Sequence, residues 1–163
     1  MKSKNNKPLK FDYNNNLDLK KYKIGIVVSQ WNKDITENLL NGAIETLSEK
    51  GINKENIFIQ RVPGSFELIF GSKVLSHKEL DVIIAIGCII KGETDHYDYI
   101  CSSVSQGIMR LNLSSSMPII FCVLTDHNKQ QSIDRSGGKY GNKGAESAIA
   151  ALQMLSVKMV QDQ

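Results

Sequence analysis

The segment "DVIIAIGCII" at residues 81–90 is apolar almost throughout and ends abruptly in the polar run "KGETDH" at residues 91–96. A strand that is apolar on both faces is typical of the centre of a parallel sheet, because helices cover both faces there. In open α/β sheets, ligands bind just beyond the carboxyl ends of the strands. The segment therefore predicts a parallel sheet and also the edge of that sheet at which a ligand binds.

The same alternation of strand and helix repeats along the rest of the chain. Short β-branched runs predict strands, and apolar residues three and four positions apart predict helices. Four rounds of strand followed by helix predict a flavodoxin-like three-layer α/β/α fold with a four-stranded parallel sheet. The predicted strands cover residues 23–28, 56–62, 81–90 and 118–124, and the predicted helices cover residues 34–51, 65–77, 97–113, 128–135 and 143–161.

Local signals refine the first two helices. Asp34 and Glu37 predict a capping box at the start of the first helix, because they are three residues apart. Gly51 predicts the end of that helix, since glycine tolerates the left-handed conformation that follows many helices. The second helix has an apolar face made of Phe66, Ile69, Phe70 and Val74.

Length and composition limit the kind of protein. A chain of 163 residues with 41% hydrophobic content suits one compact domain, which we expect over residues 23–163 after a polar segment at residues 1–22. The net charge of +3 is small and much of the lysine lies near the N-terminus, so nucleic-acid binding is disfavoured. No apolar run reaches the roughly 20 residues that span a bilayer, and no signal peptide is evident. We therefore expect a cytoplasmic protein without membrane contact.

The cysteines are odd in number and lie in apolar segments without a C-x-x-C pair. Cys88, Cys101 and Cys122 are therefore predicted to be free thiols rather than disulfides or metal ligands. No metal site is predicted.

Polar clusters follow all four predicted strands. They are "SQWN" at residues 29–32, "PGSFE" at residues 63–67, "KGETDH" at residues 91–96 and "TDHN" at residues 125–128. The carboxyl ends of parallel strands lie along one edge of a sheet, next to helix N-termini whose free N–H groups attract anions. We therefore expect a site for a small, anionic molecule at this edge.

Several residues in and near these clusters have a functional and a structural interpretation. Trp31 beside Asn32 offers a flat face and an amide edge to a heteroaromatic ligand, but an ordinary core or surface aromatic fits equally well. His96 either transfers protons near neutral pH or simply starts a helix. Arg135 either clamps a phosphate or caps the last carbonyls of its helix.

The two glycine-containing loops are weaker signals. Gly92, Glu93 and Thr94 can offer backbone N–H groups and a hydroxyl to an anion, although no P-loop and no G-x-G-x-x-G motif occurs. Residues 63–65 are more often a turn and a helix cap, and Glu67 is explained by the helix dipole alone. These residues by themselves indicate only a small-molecule site with one candidate proton donor.

Four motifs, in order along the chain, resemble a known family. They are "VPGSFEL", "GCIIKGETDHYDYIC", "PIIFCVLT" and "GGKYGNKGAESAIAAL". Together they resemble the 6,7-dimethyl-8-ribityllumazine synthases, and the resemblance runs from about residue 24 to residue 154.

The resemblance implies a reaction and its requirements. Family members condense 5-amino-6-(D-ribitylamino)uracil with 3,4-dihydroxy-2-butanone 4-phosphate in the penultimate step of riboflavin biosynthesis, with release of phosphate and water. The family uses neither a metal nor an organic cofactor. The alternative is a noncatalytic lumazine- or riboflavin-binding relative, which would lack the proton donor or the phosphate clamp.

The resemblance also implies residue roles. His96 corresponds to the proton donor and Arg135 to the phosphate-binding arginine, and both count as catalytic. The residues implied to contact the aminouracil are Trp31, Asn32, Ser65, Phe66, Glu67, Cys88, Ile89, Ile90 and Phe121. Those implied to contact the butanone phosphate are Glu93, Thr94, Arg135 and, more loosely, Lys143.

The resemblance further implies assembly. Family members form pentamers with active sites between subunits, and many build a 60-subunit icosahedral shell. The short link "GGKYGN" at residues 137–142 is similar to that of shell formers. The N-terminal segment "KPLKFDYNN" at residues 7–15 would join the sheet of a neighbouring subunit. Riboflavin synthase is a candidate partner inside such a shell.

Overall fold

The computed structural model describes residues 18–161, so the pairing expected for residues 7–15 lies outside them. Four parallel strands form one sheet in the order β2-β1-β3-β4, as predicted. The strands are β1 (Ile24–Ser29), β2 (Ile57–Val62), β3 (Val82–Ile90) and β4 (Ile119–Asp126). The helices are α1 (Lys33–Glu49), α2 (Leu68–Ser76), α3 (His96–Ser114), α4 (Lys129–Arg135) and α5 (Lys143–Gln161).

Strand β3 is buried on both faces, as its apolar sequence predicts. Ile84 and Ile86 belong to the core that the sheet shares with α1 and α5. Ile83 and Ala85 belong to the opposite core, which contains α2 and α3. Successive residues of a strand point to opposite faces, so these side chains enter the two cores alternately. All four are fully buried. The three-layer α/β/α arrangement is therefore confirmed.

The start of α1 differs from the expected capping box. Asn32 is the residue before the helix; its φ of 55° is left-handed, and its side chain makes no capping hydrogen bond. Asp34 lies inside the first turn, 2.7 Å from Lys129. Glu37 is paired with Arg61 of β2. The capping box is therefore wrong, because both carboxylates bind cations from other elements.

The end of α1 follows the prediction. Gly51 has a φ of +106°, a conformation that side-chain-bearing residues rarely adopt. The helix stops two residues earlier, at Glu49.

The face of α2 that packs on the sheet is not the face that its apolar spacing predicts. Phe70 is 69% exposed, and Phe66 and Val74 are exposed as well. The sheet-facing side is instead formed by Leu68 and Leu75, both buried, together with the small residues between them. Three of the four residues of the expected core face are therefore exposed on this chain.

A small antiparallel hairpin between α4 and α5 has no counterpart in the prediction. It consists of β5 (Ser136–Gly138) and β6 (Gly141–Asn142). Strands of three and two residues are too short to give a readable alternation. Gly137 and Gly141 both have positive φ, which lets the chain reverse there.

The cysteines agree with the expectation from their number and spacing. Cys88, Cys101 and Cys122 are all free; the first and last are buried and Cys101 is half-buried. Among the described helices, none combines the length and the apolar character needed to cross a bilayer.

Candidate active site at the carboxyl ends of the strands

A cavity of about 570 Å³ opens at the carboxyl ends of β1, β2 and β3. Nine of the fourteen predicted site residues line it, and two further residues, Gly64 and Ile100, were not predicted. Ile100 lies one helical turn after His96, so helical spacing was the signal that could have found it. The nine are Trp31, Asn32, Ser65, Phe66, Glu67, Cys88, Ile89, Ile90 and His96.

The floor of the cavity is a backbone edge of β3. Pairing between β1 and β3 ends at Val28 and Ile86, whereas pairing between β3 and β4 continues to Ile90. The last four residues of β3 therefore have no strand on their β1 side; we call this stretch the β3 overhang. The Asn32 amide Nδ2 donates to the Cys88 carbonyl at 3.0 Å, which identifies that carbonyl as facing the β1 side.

The β3 overhang presents further hydrogen-bonding groups on this side. Alternate residues of a strand direct their N–H and C=O groups to the same edge. The N–H and C=O of Ile90 therefore point the same way as those of Cys88. A planar ligand that lies against this edge meets main-chain donors and acceptors at fixed spacing.

The backbone of Trp31 is held by hydrogen bonds, and its ring is exposed. Its N–H donates to the Pro63 carbonyl at 3.0 Å, and the preceding Gln30 N–H donates to the Val62 carbonyl at 2.8 Å. The ring itself is 72% exposed at the rim of the cavity. An aromatic face held in this way is suited to stacking on a flat ligand.

The loop after β2 supplies two oxygens to the cavity. Ser65 is buried, and no described residue makes a hydrogen bond with its Oγ. The Glu67 carboxylate accepts from the Gly64 N–H at 2.9 Å through Oε2. Gly87 allows this packing, because a Cβ there would lie 2.7 Å from Ser65 Oγ. Buried polar atoms are normally paired, so the Ser65 hydroxyl is an unsatisfied group beside the cavity.

The wall opposite this loop begins with α3. His96 is its first residue, and its side chain is exposed on the cavity wall. Glu93 and Thr94 lie in the exposed loop just before it and do not line the cavity. A Cβ at Gly92 would meet no heavy atom within 4 Å, so the space beside Gly92 is open.

Three predicted site residues lie away from the cavity. Phe121 is in the middle of β4, paired with Ala85, and is 42% exposed on the edge strand of the sheet. Lys143 Nζ lies 2.6 Å from the Glu146 carboxylate at the start of α5. Arg135, at the end of α4, contacts Asp126 instead of the cavity lining. Within one chain, the structure does not bring these three to the other nine.

A buried polar chain links the β3 overhang to α4. Cys88 Sγ donates to Ser132 Oγ at 3.4 Å, and Ser132 Oγ donates to Asp126 Oδ2 at 2.8 Å. Arg135 Nη1 lies 3.8 Å from Asp126 Oδ1. Burial raises the pKa of the Cys88 thiol, so it stays protonated and acts as a donor, not as a nucleophile. Sequence reasoning missed Ser132, and it noticed Asp126 only as part of a polar cluster.

A model of the 6,7-dimethyl-8-ribityllumazine synthase family matches residues 21–159. The chain belongs to this family.

Relatives bearing that name cover nearly the whole chain. The 6,7-dimethyl-8-ribityllumazine synthase of Parabacteroides distasonis is 53% identical over 147 residues, 90% of this chain and 92% of its own length. That of Christiangramia forsetii is 49% identical over 160 residues, 97% of this chain and 95% of its own. That of Porphyromonas gingivalis is 47% identical over 151 residues, 92% of this chain and 94% of its own.

In the described part of the chain, no group of three or more His, Cys, Asp and Glu side chains is arranged to hold a metal ion.

Proposed function

We propose that the protein is a lumazine synthase that condenses 5-amino-6-(D-ribitylamino)uracil with 3,4-dihydroxy-2-butanone 4-phosphate, releasing phosphate and water. In the proposal it is a transferase of riboflavin biosynthesis that works without a metal or an organic cofactor. The observation that carries the proposal is the convergence of nine family-matched residues on one cavity of about 570 Å³. A cavity of this size is within the range that holds a small organic ligand.

The aminouracil is assigned to the β3 overhang. Its ring edge would exchange hydrogen bonds with the main chain around Cys88 and Ile90, and Trp31 would stack on its face. The Ser65 hydroxyl, which is buried and has no hydrogen-bond partner within residues 18–161, supports placing the ribityl chain at the loop after β2, because that chain carries hydroxyl partners. Glu67 retains one carboxylate oxygen beyond its contact with Gly64.

His96 is assigned proton transfer. The reaction needs imine formation, loss of phosphate and ring closure, and each of these steps moves protons. His96 lies on the wall of the aminouracil cavity and two residues after Thr94 of the loop assigned to the phosphate. Holding both substrates in one orientation makes the condensation effectively intramolecular, which lowers its entropic barrier.

The remaining residues are assigned to a neighbouring subunit. Phe121, Arg135 and Lys143 do not line the cavity of their own chain, and Phe121 is exposed on an edge strand. We therefore assign them to the cavity of the next subunit in a pentamer, where Arg135 and Lys143 would add positive charge for the phosphate. Glu93 and Thr94 would complete the phosphate site from the loop before α3.

The shell, its partner, the domain division and the cellular location stay predictions. The short link at residues 137–142 favours a 60-subunit shell, with riboflavin synthase as a candidate partner. The division into residues 1–22 and a single domain at 23–163, and the cytoplasmic location, also stay predictions.

A direct assay tests the proposed function. Purified protein is mixed with both substrates, and lumazine absorbance is followed against the slow uncatalysed reaction and against heat-denatured protein. We expect clear acceleration by the native protein alone. Equal rates in all three mixtures, with the aminouracil still bound in equilibrium dialysis, would instead support the noncatalytic binding relative.

A further inference from the structure

Asp126, the last residue of β4, joins three separate elements. Its backbone carbonyl accepts from the Lys91 N–H at 2.9 Å, where β3 leads into the loop before α3. Its carboxylate accepts from Ser132 Oγ at 2.8 Å and lies 3.8 Å from Arg135 Nη1. The residue is only 6% exposed. It is therefore a buried carboxylate held at a fixed place beside the guanidinium.

The surroundings of Arg135 restrict its movement. Nη1 donates to the Gln131 carbonyl at 3.2 Å, and the guanidinium carbon lies 5.5 Å from the centre of the Tyr140 ring. With Asp126 as the anionic neighbour, the guanidinium is held by a carbonyl, a carboxylate and an aromatic face. A long side chain that is fixed before binding loses less conformational freedom when a ligand arrives.

We propose that Asp126 is a positioning residue that holds Arg135 in the orientation in which it binds the phosphate of the butanone substrate. The proposal rests on the phosphate-binding role proposed for Arg135. Asp126 acts only through the guanidinium, since it is buried and a carboxylate would repel the phosphate.

Ser132 extends the same device. Its hydroxyl is fully buried and donates to Asp126 Oδ2, which leaves Oδ1 directed toward Arg135. The Cys88 thiol donates to Ser132 in turn at 3.4 Å. The orientation of the Asp126 carboxylate is therefore fixed by a hydroxyl of α4 that Cys88 of β3 contacts in turn, and loss of the Ser132 hydroxyl loosens it.

Asp126→Asn tests the proposal, because it keeps the shape and removes the charge. Asp134→Asn is the matched control. Asp134 lies next to Arg135 on α4, but its carboxylate accepts a hydrogen bond from Gln130 at 2.9 Å, and the proposal gives it no part in orienting the guanidinium. Both variants lose one negative charge near Arg135. Only Asp126→Asn removes the proposed positioning contact.

The readouts separate positioning from general stability. For Asp126→Asn we expect KM for the butanone phosphate and the inhibition constant of inorganic phosphate both to rise about threefold to tenfold. KM for the aminouracil and kcat at saturation should stay within about twofold of the wild type, as should every constant of Asp134→Asn.

Other outcomes overturn the proposal. An unchanged or lower KM for the butanone phosphate would show that Asp126 does not orient Arg135, and so would equal shifts in both variants. If Asp126→Asn does not fold, Ser132→Ala decides, with a rise in the same two constants expected and no rise contradicting the proposal. Inactive wild-type protein would instead count against the proposed function itself.

Discussion

In the proposed mechanism, His96 transfers protons. A substitution at this one residue therefore tests the mechanism. His96→Ala should lower kcat by roughly tenfold to a hundredfold, at or below the low end for general acid–base catalysis, because the substrates also react slowly without the protein. The lumazine absorbance assay measures this. The exposed position of His96 predicts an unchanged fold and assembly, checked by circular dichroism and sedimentation. Full activity in the variant would remove the proton-transfer role.

Cys122 gives a prediction about pH and stability. Burial raises the pKa of its thiol to about 11, and Sγ donates to the Lys143 carbonyl at 3.6 Å. The folded chain therefore binds this proton more tightly than the unfolded chain, whose thiol has a pKa of roughly 8.5. The stabilisation is complete below that lower pKa and is lost as the pH rises toward the folded value.

The measurement is denaturant unfolding at pH 8 and pH 10 at one protein concentration. Between these pH values, the wild type should lose about 1 to 2 kcal/mol of unfolding free energy more than Cys122→Ala does. The variant itself will be less stable at both pH values, because it leaves a small cavity. The same pH dependence in both proteins would mean that this thiol does not contribute.

The positions of single residues along the sheet edge follow from the backbone. Trp31 and His96 reach one cavity because parallel strands all end at the same edge of the sheet. Sequence reasoning failed for Asp34 and Glu37, because their partners, Lys129 and Arg61, are distant in sequence. A local motif cannot register a competing cation from another element.

Helices α1 and α5 cross so closely that only glycine fits at one position. A Cβ on Gly144 would lie 2.6 Å from the Leu39 carbonyl carbon, and backbone cannot move aside as a side chain can. Gly144→Ala should therefore lower the unfolding free energy by about 3 kcal/mol or prevent folding. Gly92→Ala is the control, since its Cβ would meet no heavy atom within 4 Å and should change stability by less than about 0.5 kcal/mol. Equal losses in both would contradict the close crossing.

The type and order of the elements could be predicted from periodicity, but the packing direction of α2 could not. Phe70 and Val74 form an apolar stripe that looks like a core face in the sequence. The sheet instead receives Leu68 and Leu75 with Gly71 between them, where a Cβ would lie 2.7 Å from Val27. A glycine that lets a helix approach a sheet carries no hydrophobic signal.

Large apolar side chains are exposed on the surface of the described part of the chain. Leu113 is 81% exposed and Met109, one helical turn earlier on α3, is 51% exposed. Exposed apolar stripes of this kind mark protein interfaces. This surface, together with the separation of Arg135 from the cavity, supports an assembly in which subunits complete each other's sites.

Sedimentation velocity tests the assembly. The chain has a mass of 18.2 kDa, so a shell of sixty copies should run near about 1.1 MDa and a ring of five near about 90 kDa. We expect the shell for the wild type. Leu113→Glu should shift the protein to smaller species and lower turnover with it, because a charge at a subunit contact is costly to bury. If the wild type sediments only as the five-subunit ring, the predicted shell is wrong. If it sediments as a single chain, the predicted shell and the predicted ring are both wrong.

At this scale, the sequence predicted the sheet, and nine of the proposed site residues line one cavity at its edge. Three others, Phe121, Arg135 and Lys143, lie away from the cavity of their own chain. No pattern within one chain specifies which of its residues will serve another copy, because that depends on surface geometry.

The β3 overhang makes the proposed recognition of the uracil unusually tolerant of sequence drift. Its hydrogen-bonding pattern belongs to the main chain, so a different side chain at Ile89 or Ile90 alters the walls of the cavity but not the donors and acceptors on its floor. What fixes those groups is the difference in length between two neighbouring strands. An engineer who wanted this scaffold to accept a ring with another hydrogen-bonding edge would have to lengthen β1 or shorten β3, not exchange side chains.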